Sequence, residues 1–156
     1  MGVENPEADT MKRKPYSPAE GVFSRGAGVQ TVWVGVMIGA LALSIGSWYF
    51  FTGHAEWQTM IFTSLAFMQV FQALASRSNK ESLFKMGVLT NPLLAGMALL
   101  VVGLQMMVLY IPALAKFFEV LPLGGYDLSI SIATGVIVFI LMELEKWWKR
   151  KQQNIQ

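Results

Sequence analysis

Apolar residues in this chain come in long uninterrupted runs, neither alternating as in a half-buried strand nor marking one stripe as in a soluble amphipathic helix. Four runs stand out: Thr31–Phe51, Thr59–Ala75, Pro92–Ile111 and about Leu128–Met142. At 1.5 Å rise per residue the first covers roughly 31 Å, enough to cross the hydrocarbon core of a bilayer. The second and fourth are shorter and need flanking residues to complete a crossing. Asn91-Pro92 is a good helix start, with an amide to cap and proline at the first helical position, and Pro112 stops the third run. The expected fold is therefore an all-α membrane protein of four transmembrane helices with short loops. Residues 1–29 form a cytoplasmic lead-in, 30–151 the four-helix domain and 152–156 a tail.

The second run is the most informative. From Thr59 to Phe84 it reads TMIFTSLAFMQVFQALASRSNKESLF. Gln69 lies near the centre of its apolar part and Gln72 follows three residues later on the same helical face. A glutamine amide in hydrocarbon is costly unless other groups satisfy it. This helix is therefore expected to turn a polar stripe towards other helices. For both glutamines two readings stand side by side: an amide oxygen offered to a hard cation, or an interhelical hydrogen bond. One neutral amide cannot hold a cation without carboxylates, so chemistry alone favours the hydrogen bond. Gln105 in the third run is expected to pack.

Composition sharpens the membrane reading. Of 156 residues, 54% are hydrophobic and only 14% charged, where a soluble domain carries roughly a quarter. The net charge of +2 does not indicate nucleic acid, because the basic residues sit at the ends of apolar runs and form no patch. Lys12, Arg13, Lys14 and Arg25 precede the first run, Arg77, Lys80 and Lys85 lie between the second and third, and Lys146, Lys149, Arg150 and Lys151 follow the fourth. That places 11 of the 12 basic residues on one side, with Lys116 alone opposite. The positive-inside rule then makes both termini cytoplasmic. Trp48, Tyr49 and Trp57 fit an aromatic belt on the far side, and Trp147 and Trp148 one on the near side. The polar, proline-bearing start is not a secretory signal, and Pro6 stands where a myristoylation signal prefers Ser or Thr.

Small residues offer a contact face. Gly35-Val-Met-Ile-Gly39 is a GxxxG, and Gly46 follows, a spacing that lets another backbone approach closely. The same motif is frequent by chance in membrane helices, and its partner could be another run of this chain or a helix from elsewhere. No Asp or Glu lies deep in a run, which argues against a proton relay or carboxylate ion site. Glu143 reads as a helix-end ion pair. His54, the one histidine, makes a poor metal site beside Glu56. With zero cysteines there are no disulfides or thiolate ligands. No P-loop, GxSxG or zinc spacing occurs, and the ten methionines read as adaptable packing.

Three pieces of the chain resemble the C-terminal membrane part of P-type cation-transporting ATPases, the calcium-pump-like branch in particular. Asp9-Thr10-Met11-Lys12-Arg13-Lys14-Pro15, then Pro18, Glu20 and Phe23-Ser24-Arg25-Gly26, look like the loop after the sixth of that family's ten membrane helices. Thr59-Met60 through Phe67, then Gln69, Phe71, Ala73-Leu74, Ser76-Arg77-Ser78 and Ser82-Leu83-Phe84, look like the eighth helix and its exit. Asn91, Leu94, Gln105, Tyr110-Ile111-Pro112, Phe117-Phe118, Pro122-Leu123 and Glu143-Leu144-Glu145-Lys146 follow the ninth and tenth. The resemblance implies a fragment or split part of a pump, integral to the plasma (inner) membrane, bracing the transport helices of a catalytic chain within the lipid bilayer. It implies no cofactor in this chain, since the family's ATP and Mg are handled by domains and an Asp-Lys-Thr-Gly-Thr motif that this sequence lacks. Where the eighth helix contributes a cation ligand, that position falls on Gln69. Some calcium pumps carry a carboxylate there, so glutamine weakens the case for a second ion site. Leu128 replaces a tryptophan often found before the tenth helix. The alternative is a stand-alone membrane interaction protein that regulates or stabilises a cation pump.

Overall fold

The computed structural model describes residues 27–76 and 92–153, and among them every regular element is a helix. Five occur in order: α1 Ala27–Phe51, α2 Trp57–Ala75, α3 Pro92–Tyr110, the short α4 Pro112–Phe117, and α5 Gly125–Gln153. The expected lead-in motifs, the capping Asn91, and Arg77, Lys80, Lys85 and Ser82-Leu83-Phe84 lie outside the described residues. Gly28–Phe51, Pro92–Tyr110 and Gly125–Lys149 are long and apolar enough to cross a membrane. The second expected run is helical, but three glutamines and short hydroxyl residues lower its hydropathy and it is not among these three.

The stops are local chemistry. Gly53 takes φ 78° just after α1, His54 N–H donates to Tyr49 O at 3.0 Å and Gly53 N–H to Phe50 O at 3.2 Å. This is a Schellman closure, and the Tyr49 and His54 rings supply its side-chain contact with centroids 5.0 Å apart. Pro112 both ends α3 and begins α4, because proline cannot continue one helix yet fits the first turn of the next. After α4 the same closure recurs with Glu119 at φ 54°, a left-handed position that costs a non-glycine residue about 1 kcal/mol. α5 runs beyond the apolar run predicted to end at Met142, because Lys146–Glu143 and Lys149–Glu145 ion pairs at 2.8 and 2.5 Å support its polar last turns.

Packing centres on α2. It meets α5 most extensively, then α1, then α3, while α1 and α5 touch more lightly. Two apolar cores form, one at each end of α2. Val34, Met37, Ile38, Met68, Ala75, Val138 and Met142 make one; Tyr49, Met60, Leu109 and Leu123 make the other. The start of α1 therefore lies at the same end of the bundle as the end of α5.

Candidate functional site: a polar helix with two open faces

α2 places its polar side chains by size. Thr59, Thr63 and Ser64 are 1%, 0% and 0% exposed, enclosed by neighbouring helices. Gln105 of α3, itself buried, donates from Nε2 to Thr63 Oγ1 at 3.2 Å. Thr59 Oγ1 accepts from the Leu121 backbone N–H at 2.9 Å and so fastens the loop before α5. Ser131 on α5 donates to Asp127 O at 3.1 Å and lies 3.6 Å from Met60 Sδ. Thr134 closes back onto Ser131 O at 2.7 Å. Of the buried side-chain polar atoms among the described residues, only Ser64 Oγ has no hydrogen-bond partner.

Gln69 goes the other way. It is exposed and lines an open groove of about 250 Å³ between α2 and α3, with Val70, Ala73, Leu94, Met97 and Val101 as its walls. Gln72 is half-buried. The inward polar contacts of α2 thus come from its short hydroxyl residues, while the amide of Gln69 faces a groove with apolar walls. That amide oxygen can supply one hard-oxygen ligand, and a cation would need several more from elsewhere. Among the described residues no group of three or more His, Cys, Asp or Glu could hold a metal.

The glycines divide in the same manner. A Cβ at Gly35 or Gly39 would meet nothing within 4 Å, so the GxxxG face of α1 is open. Exposed Val32, Val36 and Leu43 continue it along the helix. Gly46 is buried, and a Cβ there would overlap the side chain of Ile61 on α2. An approach as close, and one that involves backbone, is at a glycine that the sequence reading did not nominate. At Gly135 a Cβ would overlap the Phe71 ring and stand 3.0 Å from the Phe67 carbonyl oxygen. Ser131 and Gly135 form a small-xxx-small pair, and that spacing was the available signal.

Two polar ties close the bundle's ends. Tyr49, expected in an aromatic belt, is instead 5% exposed and donates its hydroxyl to Asp127 Oδ1 at 2.5 Å, joining α1 to the first turn of α5. Trp48 beside it is 70% exposed. At the opposite end Lys146 is 3% exposed and donates to Ala75 O, at the last turn of α2, at 2.5 Å and to Glu143 Oε1 at 2.8 Å. A cation on the final carbonyls satisfies acceptors that the helix leaves open and opposes the negative end of its dipole.

Residues 1–148 match the model of the family described as cation transporting ATPase, C-terminus. The chain belongs to that family. It is 30% identical to calcium-transporting ATPase 1 of Saccharomyces cerevisiae over 99% of its own length and 16% of that protein's. Against calcium-transporting ATPase 1 of Bacillus cereus the identity is 31%, covering 96% of this chain and 19% of the relative. Against mouse calcium-transporting ATPase type 2C member 2 it is 28%, covering 96% and 16%. The chain thus spans less than a fifth of each of these relatives' length. Family and helix composition together make it an integral membrane protein, similar to the C-terminal region of calcium-transporting ATPases.

Proposed function

We propose that this chain is a fragment or split part of a calcium-transporting P-type pump, and that it braces transport helices without being catalytic alone. The observation that carries the proposal is the match of nearly the whole chain to the C-terminal part of much longer calcium-transporting ATPases. In this reading α1, α2, α3 and α5 each cross the bilayer, with the hydroxyl groups of α2 enclosed by its neighbours and Gln69 turned to the groove beside α3. Both termini face the cytoplasm of the plasma (inner) membrane; the shared end of α1 and α5 and the basic residues around it support that orientation.

Within the pump, the open Gly35–Gly39 face receives a helix from the catalytic part, since it is smooth, apolar and unfilled by the described residues. Gln69 lies along the other open side and offers its amide oxygen to the transported cation as one ligand of a set supplied mainly by other helices of the pump. Gly46, Gln72 and Gln105 act in packing within the four-helix unit.

Three measurements test this. Purified chain should show no calcium-stimulated ATP hydrolysis; activity would refute the role directly. Tagged chain drawn from its native membranes should bring down a longer polypeptide bearing the Asp-Lys-Thr-Gly-Thr motif, and Gly39→Leu should weaken that association at least tenfold. Reporter tags at the two ends should both be accessible from the cytoplasmic face. Tags on opposite faces would overturn the four-crossing arrangement.

A further inference from the structure

A groove of about 640 Å³ runs between the start of α1 and the end of α5 on the outside of the bundle. Its walls are almost wholly apolar, with Trp33, Leu141 and Leu144 along its length, and Glu145, Trp148 and Lys149 at its polar end. Trp33 and Trp148 are more than half exposed, as is Leu144.

This is the chemistry of a lipid site at the membrane interface. An acyl chain matches the apolar walls, and indole rings sit favourably where hydrocarbon gives way to headgroups. Charge decides which lipid. The end of α5 carries four basic residues, Lys146, Lys149, Arg150 and Lys151, against two acidic ones, Glu143 and Glu145; Lys146 is turned inward and paired with Glu143, and Lys149 is the basic residue that lines the groove. Lys149 pairs with Glu145 at 2.5 Å yet remains 53% exposed, so its ammonium can take a second anionic partner. An excess of positive charge beside an apolar slot between membrane helices suits an anionic headgroup. We propose that this groove holds one anionic phospholipid, its acyl chain along Trp33, Leu141 and Leu144 and its phosphate beside Trp148 and Lys149. The site needs only that the chain be embedded in a bilayer, so it can fail while the pump-bracing role stands, and the reverse.

Native mass spectrometry of the full chain in mild detergent tests it, with palmitoyl-oleoyl phosphatidylglycerol and the matching phosphatidylcholine as probes. One phosphatidylglycerol adduct should form with at least about fivefold preference over phosphatidylcholine, the effect of about one basic residue near a headgroup. Leu144→Trp, at an exposed position, should fill the slot and remove the adduct while far-UV circular dichroism is unchanged. Lys149→Gln should keep the adduct but lower the preference about fivefold. Leu100→Trp on the exposed face of α3 should change neither. Equal binding of the two lipids, or an adduct that survives Leu144→Trp, would overturn the assignment. So would no adduct at all, which would point to protein filling the groove.

Discussion

α2 and α3 have the same length and opposite characters. α2 carries Gln58, Thr59, Thr63, Ser64, Gln69 and Gln72, and has eight buried residues. α3 is almost entirely aliphatic, and only Gln105 and Leu109 are buried. Met97, Leu99, Leu100 and Leu104 on α3 are all more than half exposed. In a water-soluble domain the apolar helix would be inside, because apolar surface leaving water is the main drive to fold. Here the order is inverted. Lipid tails are as apolar as leucine, so α3 gains little by burial, and association falls to close packing and polar ties. α2 holds the bundle together because it has both.

The largest expected loss comes from removing the cation at the end of α2. Lys146→Met leaves the Ala75 carbonyl and the Glu143 carboxylate without the ammonium between them. Breaking a buried pair from one side costs about 3 kcal/mol. Glu143→Gln together with Lys146→Met should recover part of this, because the carboxylate is then neutral. Thermal unfolding of the detergent-solubilised chain reads both. A loss under about 1 kcal/mol would mean that water reaches this end of the helix.

Next is Gly135→Leu. The new side chain must displace the Phe71 ring and push against the Phe67 carbonyl, and forcing extra methylenes into a packed contact costs about 2–3 kcal/mol. Gly46→Ala is milder, because the atoms in its way are the far end of the Ile61 side chain.

What could be read in advance follows the same division. Runs of apolar residues mark α1, α3 and most of α5, since lipid exposure demands them. Hydropathy does not mark where α5 ends, because it reports depth in a membrane, whereas the last turns rest on i,i+3 and i,i+4 ion pairs. It understates α2 for the same reason: an enclosed helix need not be apolar. Gln69 and Gln72 drew attention as the most polar residues of that run. Thr59, Thr63 and Ser64 instead make the inward contacts, because a short hydroxyl fits a close helix crossing that a glutamine side chain would fill. Tyr49 looked like a belt residue because composition cannot tell which side of α1 faces Asp127.

A smaller effect isolates the polar tie between the two helices. Gln105→Leu removes the bond to Thr63 Oγ1 and should cost about 1 kcal/mol. Thr63→Val should cost a similar amount, and the double variant little more than either alone. Additive losses would show that each residue acts through separate contacts.

The least effect should come from Gly103→Leu, and it is the sharpest test of the inversion. Gly103 lies on α3, and a Cβ there would meet nothing within 4 Å. In a helix glycine is poorer than leucine by somewhat under 1 kcal/mol, and an outward leucine adds apolar surface that lipid accepts. Midpoint stability should therefore stay within about 0.5 kcal/mol of the parent, or rise slightly. The same substitution at Gly135 should be ruinous by comparison. If Gly103→Leu instead cost as much as Gly135→Leu, α3 would be packed against protein in the folded chain, and the contrast with α2 would fail. If the loss appeared only when a catalytic chain was co-expressed, the apolar face of α3 would be a contact with the pump and not with lipid.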